Sequence, residues 1–276
     1  MHNFSRAMSL LGSSVAVLLA HAGTAQAASG TMEVDLVFPQ NDTYAPAHIV
    51  PVAFAFQNSD LAGYLQPSIS FSIKPYGGSS EGNSSKAIAN GNFKMTWTNF
   101  TESNPYVQYG EALEGLNTEG TWVLDWELSV SNCSGSADDL KFTLDSEMHR
   151  VIFTTKNGAK APDVSAATSA DSCSKSQGRA FKITKTLDSG DKFDNGRPCA
   201  VLAETAPALN PCGAKINASA AADVVASFTA KACAIETAPW CPKVDGANQN
   251  VVLSSAVVGG VAFLAVAVGG MGFLAI

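Results

Sequence analysis

Short runs in which apolar and polar residues alternate recur through the first two-thirds of the chain. In "MEVDLVF", Val34, Leu36 and Phe38 point to one side, and Glu33 and Asp35 point to the other. Alternation with period two indicates strands with one buried and one solvated face. The pattern returns in "PVAFAFQ", "ISFSIK", "FKMTWTN", "TWVLDWELSVS", "HRVIFTTK" and "FKITKTL". Seven or more such strands predict an all-β fold, a β-sandwich of immunoglobulin-like or related type.

Two stretches do not alternate clearly. Residues 157–180 are rich in Ala, Ser and Asp, which predicts a long loop pinned by Cys173. In residues 217–233, a strand would align Val224, Ala226 and Phe228, whereas a helix would align Ala221, Val225, Phe228 and Ala232. We favour the strand. We expect the cysteine-rich part, 199–241, to extend the sandwich rather than to form a second domain.

The first 27 residues are typical of a secretory signal peptide. Arg6 provides a positive start, residues 10–20 are apolar, and "AQA" at 25–27 is a small-x-small cleavage site. The apolar run is too short for a spanning helix, which needs roughly 20 residues. We therefore expect cleavage between Ala27 and Ala28.

The chain ends in an apolar stretch, 251–276, with no charged residue after it. A single-pass membrane protein would normally carry Lys or Arg on the cytoplasmic side of the span. An uncharged tail after small residues and a polar spacer is typical of a glycosylphosphatidylinositol (GPI) attachment signal. The sequence predicts attachment at Gly246, with Asp245 and Asn248 as alternatives. Residues 247–276 would then be a propeptide and residues 28–246 the mature ectodomain; a transmembrane helix is the rival interpretation.

All six cysteines lie in this ectodomain. An even count in an oxidising compartment predicts three disulfides. From the turns around them we expect Cys199–Cys212, Cys233–Cys241 and Cys133–Cys173. A zinc site is the rival interpretation, but the chain contains no Cys-x-x-Cys spacing. No metal or other cofactor is predicted.

Charge and sequons fit an extracellular protein. Without Arg6, the ectodomain has 16 basic and 24 acidic residues, a net charge of −8. Nucleic-acid binding relies on basic surface, so it is not expected. Asn-x-Ser/Thr sequons, acceptors for N-glycosylation in a secreted protein, occur at Asn41, Asn83, Asn99, Asn217 and Asn132. Asn132 is the weakest of these, because its middle residue, Cys133, is expected in a disulfide.

No catalytic residues are predicted. His48 and His149 are the only histidines outside the signal peptide, and we interpret both as structural or surface residues. Asp125 and Glu127 lie two apart on one strand, about 7 Å by strand rise, which permits a glycosidase-like pair. They lie opposite Trp122 and Trp126, which are expected in the core, so a solvated strand face is the simpler interpretation.

Carbohydrate binding needs exposed aromatic side chains, since an aromatic ring packs against the apolar face of a sugar. Trp97 aligns with apolar strand positions and is predicted in the core. Trp240, between Pro239 and Cys241, is expected to pack on a disulfide. Tyr106 and Tyr109 are the aromatic residues that we expect to be most exposed.

Several segments resemble a known family. "MEVDLVFPQNDTYAPAHIVPVAFAFQN", "WVLDWEL", "CAVL", "NPCGAKI" and "APWCP" are similar to fungal secreted proteins that carry a domain of unknown function and often end in a GPI-type tail. The resemblance spans residues 31–242. It implies a fungal, extracellular setting and supplies no catalytic residues.

Together these features predict a GPI-anchored, N-glycosylated protein on the outer face of the plasma membrane or in the cell wall. Its expected partners are the membrane, through the lipid, and wall glycans or surface proteins. A non-enzymatic role in wall structure, adhesion or surface binding is the leading interpretation. The alternative is an enzyme that acts on wall glycans.

Overall fold

A computed structural model describes residues 28–77, 87–136, 139–190, 196–235 and 238–241. The predicted signal peptide, Asn83, and the predicted attachment site and propeptide lie outside these residues. Within them the chain forms ten strands and two α-helices. In chain order these are β1 (Gly30–Phe38), β2 (Thr43–Tyr44), β3 (Ile49–Gln57), β4 (Ser68–Pro75), β5 (Ala89–Lys94), β6 (Tyr106–Leu113), β7 (Gly120–Gly135), β8 (Leu140–Thr155), α1 (Val164–Ala167), β9 (Gln177–Leu187), β10 (Cys199–Leu202) and α2 (Ala218–Ile235).

The strands form two five-stranded sheets. The first has the order β10-β9-β1-β3-β6 and the second the order β2-β8-β7-β4-β5. Between the sheets, the ring of Phe54 lies 5.4 Å from that of Trp126 and 6.3 Å from that of Phe71. The predicted all-β fold with two stacked sheets is confirmed. The alternating face of β7 forms much of the core: Trp122, Leu124, Trp126, Leu128 and Val130 are all buried.

The central strands of the first sheet are buried on both faces. The helices α1 and α2 and a turn at Pro211–Gly213 cover the outer face of β1, β3 and β6. As a result, Glu33 and Asp35, which we expected in solvent, are only 5% and 0% exposed. The expectation was wrong because a third layer covers a face that the alternation marks as polar.

The prediction of a strand at 217–233 was wrong, because residues 218–235 form α2. Its buried side chains, Ala221, Val224, Phe228 and Ala232, recur every three or four residues and face β3 and β6. Asn217 holds the start of the helix, since its Oδ1 accepts a hydrogen bond from the Ser219 amide at 2.8 Å. Alanine is the best helix former, and the segment is rich in it. This segment therefore adds a helix to the outer face of the sandwich.

The described part of the chain contains three disulfides, as predicted, but two of the three expected pairs were wrong. Cys233 bonds to Cys241 as expected. Cys133, near the end of β7, bonds instead to Cys199 at the start of β10. Cys173 bonds to Cys212, which ties the 157–176 connection to the turn over β1. That connection is mostly loop, pinned by Cys173 as predicted, and includes α1.

Candidate functional site: an open cleft beside Trp240

Three separate parts of the chain meet at one end of the first sheet. His48 precedes β3 and Glu114 follows β6, and these strands pair so that Ile49 lies opposite Leu113. The Glu114 amide donates to the His48 carbonyl at 2.7 Å, which closes this end of the ladder. Trp240 arrives from the other side, because the Cys233–Cys241 disulfide holds it to the end of α2. Together with Ala238 and Pro239 these residues line an open cleft of about 550 Å³.

Side chains in the cleft are ordered by one another. The rings of His48 and Trp240 stack with centroids 5.0 Å apart and planes 12° from parallel. Both carboxylate oxygens of Glu114 lie 3.2 Å from His48 Nδ1. The side-chain amide Nδ2 of Asn117 donates a hydrogen bond to Glu114 Oε2 at 2.7 Å. The His48 and Glu114 side chains remain 46% and 36% exposed, so the polar groups are positioned yet open to solvent.

Glu114 also has an unusual backbone. Its φ is +60°, in the left-handed region that side chains other than glycine rarely adopt. Such conformations cost on the order of 1–3 kcal/mol and persist where surrounding contacts enforce them, often at functional sites. At Glu114 the conformation coincides with two contacts to His48, one from the backbone amide and one from the carboxylate.

The cleft offers an aromatic face beside hydrogen-bonding groups. Ligands that pair an apolar face with hydroxyl groups, as sugars do, are complementary to such a surface. The described residues of its lining include one acid, Glu114, and one base, His48, and no hydroxyl or thiol side chain. The described residues also contain no group of three or more His, Cys, Asp or Glu side chains that could hold a metal ion. The described lining can therefore contact a ligand through the indole face of Trp240 and through the polar groups of His48 and Glu114.

Asp125, which shares a face of β7 with Glu127, is held by two cations. Asp125 binds Lys74 at 2.8 Å and Arg150 at 2.6 Å. Burial raises the pKa of Asp125, but the hydrogen bonds and charges of Arg150 and Lys74 outweigh it, and the net pKa is lowered. A carboxylate held ionised between two cations is a poor proton donor. The strand face that carries it is a charged surface, and Trp122 and Trp126 on the opposite face are buried as expected.

Three predictions about aromatic residues were wrong. Tyr106 and Tyr109 are only 3% and 8% exposed, because both belong to β6, where Tyr106 packs against Phe56 at 6.0 Å. Trp97 is 71% exposed instead of buried. The strand β5 ends at Lys94, and a turn in which the Thr98 amide donates to Met95 carries Trp97 out of the sheet.

The two histidines differ in setting. His149 lies within β8 and stacks on Trp126 with ring centroids 4.4 Å apart. Burial lowers the pKa of His149. It is therefore a packing residue of the second sheet, whereas His48 is an open residue of the cleft.

A second group of acids is buried on the outer face of β1. On β1, Asp35 Oδ2 accepts from Gln57 Nε2 at 2.8 Å, and the Asn210 amide donates to Glu33 Oε2 at 2.8 Å. Burial, with the charge of Glu33 as a further contribution, raises the pKa of Asp35 to about 8, although the Gln57 bond opposes this. The turn at Pro211–Gly213 covers both carboxyl groups, so they hold the outer layer to the sheet.

The sequons differ in how accessible they are. Asn41, Asn99 and Asn217 are exposed. Asn132 is half-buried, its Oδ1 accepts from the Leu202 amide at 3.1 Å, and its neighbour Cys133 is in a disulfide. A glycan at Asn132 would therefore have to compete with the bond to Leu202 and with the disulfide of Cys133.

None of the described helices is long and apolar enough to cross a membrane. A family model for a domain of unknown function, DUF7136, matches residues 27–245. The chain belongs to the DUF7136 family. The domain thus takes in the whole sandwich, α2 and the cleft. Comparisons with curated proteins and with solved structures found no match.

Sequence reasoning assigned neither His48 nor Trp240 to a site, since it interpreted His48 as a structural or surface residue and expected Trp240 to pack on a disulfide, and it missed their partners in the DUF7136 domain. Glu114 and Asn117 carry no local signal, because only the register of β3 against β6 brings residues 48 and 114 together. The acids of β1 were missed for the opposite reason, since their alternation with apolar residues is the ordinary mark of a solvated face.

Proposed function

We propose that this DUF7136 protein is a non-enzymatic carbohydrate-binding protein, GPI-anchored and N-glycosylated at the surface of a fungal cell. The observation that carries the binding function is the stack of His48 on Trp240 beside the ordered carboxylate of Glu114 in an open cleft. Three disulfides support an oxidising, extracellular compartment. The sequence signals at the two ends support secretion followed by lipid attachment.

The cleft is suited to sugars because different residues would contact the apolar face and the hydroxyl groups of the ligand. The half-exposed indole of Trp240 supplies the apolar face, and His48 beneath it fixes the ring plane. Glu114 accepts hydrogen bonds from hydroxyl groups, while Asn117 keeps its carboxylate in place. Because these side chains are already positioned, little conformational entropy is lost when a ligand binds.

The proposed anchor places the cleft close to the cell surface. Trp240 precedes Gly246 by six residues, which span at most about 20–22 Å when fully extended. The ligands within reach are therefore glycans next to the membrane, such as the inner layer of a polysaccharide wall.

Binding is tested with the secreted ectodomain and defined oligosaccharides of β-1,3-glucan, chitin and mannan, measured by calorimetry. We expect one of them to bind and Trp240→Ala to weaken it at least about tenfold, a loss in the range of a binding hot spot. Tyr76→Ala is the matched control, since Tyr76 is a 57% exposed aromatic outside the cleft. Equal affinity in the Trp240→Ala variant, or no binding of any of the three, would contradict the proposal.

The cellular location and the lipid anchor are tested separately. A tag placed after Ala28 marks the mature protein, and intact cells are treated with phosphatidylinositol-specific phospholipase C. Release into the medium, with residues 247–276 missing by mass spectrometry, is the expected result. A membrane-bound form that retains Ile276 would establish a transmembrane protein.

The alternative function, an enzyme that acts on wall glycans, finds its specific support in the His48–Glu114 contact. A glycosidase requires a second carboxylate roughly 5–9.5 Å from the first, and Glu114 is the one carboxylate among the described residues that line the cleft. Release of reducing ends from the same oligosaccharides, abolished by Glu114→Gln, would favour the enzyme over the binding protein.

A further inference from the structure

An exposed tryptophan lies two residues before a glycosylation sequon. Trp97 has the largest exposed fraction, 71%, among the large apolar side chains that the structure describes. Exposure of so much apolar surface is unfavourable, roughly in proportion to its area. The sequon Asn99-Phe100-Thr101 follows directly, and Asn99 is also exposed. The two side chains thus share one short turn.

The turn holds both side chains outward. Met95 and Phe100 on either side of them are buried, at 2% and 4% exposure, and the ring of Phe100 packs 5.2 Å from that of Tyr106. The Arg197 guanidinium also donates to the Thr96 carbonyl at 3.4 Å. With inward anchors at 95 and 100, the side chains at 97 and 99 face solvent. Their Cα atoms are at most about 7 Å apart, the reach of two residues.

Asn99 is already in an ordered conformation. Its Oδ1 accepts from the Thr101 hydroxyl at 2.8 Å, and its Nδ2 donates to Glu102 Oε1 at 3.1 Å. Glycosylation joins Nδ2 to C1 of a sugar, breaks the bond from C1 to a lipid-linked diphosphate donor, and removes one of the two amide protons. The proton that remains on Nδ2 can keep the bond to Glu102, so the reaction is compatible with the existing conformation.

We infer that Asn99 carries an N-linked glycan whose first sugar packs against the indole ring of Trp97. The apolar face of the sugar covers the exposed ring, and the indole in turn limits the motion of the glycan. Neither of the other exposed sequons has such a neighbour, because Pro39 lies two residues before Asn41 and Lys215 lies two residues before Asn217. The inference rests on the secretory route proposed above. In it, the glycan covers the indole ring of Trp97 that the folded protein leaves exposed.

The test is a four-variant cycle on the full secreted protein: wild type, Trp97→Ala, Asn99→Gln and the double variant. Occupancy at each sequon is measured by mass spectrometry and stability by thermal unfolding. We expect Asn99→Gln to lower Tm by about 2–4 °C in the wild-type background and by far less when Trp97 is already Ala. Met148→Ala, which truncates a 69% exposed side chain on β8, is the matched control and should leave the effect of the glycan unchanged.

The outcomes separate this inference from the proposed function. Occupancy at Asn41 and Asn217 with none at Asn99 would overturn the inference and leave the secretory route standing. Full occupancy at Asn99 with equal Tm losses in both backgrounds would refute the packing on Trp97. Absence of glycan at every site would overturn the inference together with the proposed N-glycosylation, whereas failure of the protein to leave the cell would contradict the secretory route itself. Asn41→Gln, which removes a glycan with no aromatic neighbour, should change Tm by the same small amount in either background.

Discussion

The carboxyl groups of Glu33 and Asp35 share a single donor, the side-chain amide nitrogen of Gln57, at 3.3 and 2.8 Å. Both acids lie on the outer face of β1, beneath the turn at Pro211–Gly213. Asn210, at the start of that turn, donates its backbone N–H to Glu33 and its carbonyl accepts from Gln57 Nε2 at 2.9 Å. Two buried acids and one amide therefore connect the sheet to its outer layer.

This arrangement predicts that the domain loses stability as the pH rises. The folded protein keeps a proton on Asp35 up to a pKa of about 8, whereas the ordinary pKa of an aspartate side chain, expected in the unfolded chain, is 3.8. Its contribution to stability is thus fully present below about pH 4 and is lost as the pH rises toward 8, with a total on the order of a few kcal/mol. Urea unfolding of wild type and Asp35→Asn at pH 5, 7 and 9 measures how this contribution to the free energy of unfolding changes with pH. The amide mimics the protonated acid, so we expect the variant to remove most of the decline.

Glu33→Gln is the contrasting variant. Glu33 accepts the Asn210 amide with both oxygens, at 2.9 and 2.8 Å, and an amide side chain provides only one acceptor. We expect a loss of about 1 kcal/mol or more at every pH and, because burial rather than the charge of Glu33 is the main cause of the raised pKa of Asp35, only a partial change in pH dependence. If the two variants follow the same pH profile, the buried proton does not belong to Asp35.

Two of the three disulfides should differ in their main effect: Cys133–Cys199 should stabilise the fold, and Cys233–Cys241 should hold the cleft together. In the chain-entropy account, the 66-residue separation of Cys133 and Cys199 is worth about 4 kcal/mol, and the 8-residue separation of Cys233 and Cys241 about 2.5 kcal/mol. We expect Cys133→Ala/Cys199→Ala to destabilise the domain more in urea. Cys233→Ala/Cys241→Ala should abolish sugar binding, because Trp240 is no longer tied to α2. Retained affinity in that variant would show that other contacts hold Trp240.

The sheets could be predicted from the sequence because their cause is local. In β7, each residue of the face from Trp122 to Val130 is buried, so alternation alone identifies the strand and its buried side. The same holds for β4, where Ile69, Phe71 and Ile73 are buried and the serines between them are not. Alternation with period two predicts strands that are buried on one face, as when one sheet packs on one face of another.

The remaining features depend on contacts that the local pattern does not contain. Glu33 and Asp35 look solvated until α1, α2 and the Pro211–Gly213 turn are placed over β1. Trp97 looks like a strand residue until the chain turns at Met95. His48 and Glu114 are 66 residues apart and meet only through the pairing of β3 with β6. Much of the candidate site therefore depends on tertiary structure.

The helix α2, where the sequence was ambiguous, gives a direct test of conformation. Ala226 is exposed in the middle of the helix, so Ala226→Gly should lose about 1 kcal/mol through helix propensity alone. Phe228 is buried against the sandwich, and Phe228→Ala should lose about 3–5 kcal/mol. Chemical denaturation measures both. A neutral effect of Ala226→Gly would contradict a helix at this position.

The sequon at Asn132 should remain unmodified while those at Asn99 and Asn217 are occupied. Its side chain accepts the Leu202 amide, which fixes β10 against β7. Its neighbour Cys133 is bonded to Cys199, and closure of that disulfide keeps the segment folded against the enzyme that transfers the glycan. The variant Cys133→Ser/Cys199→Ser preserves the Asn-x-Ser sequon but removes the bond. Mass spectrometry of the secreted protein should find Asn132 unglycosylated in wild type and glycosylated in a substantial fraction of this variant. If Asn132 stays unmodified in both, the bond to Leu202 and the half-buried position exclude the glycan without help from the disulfide.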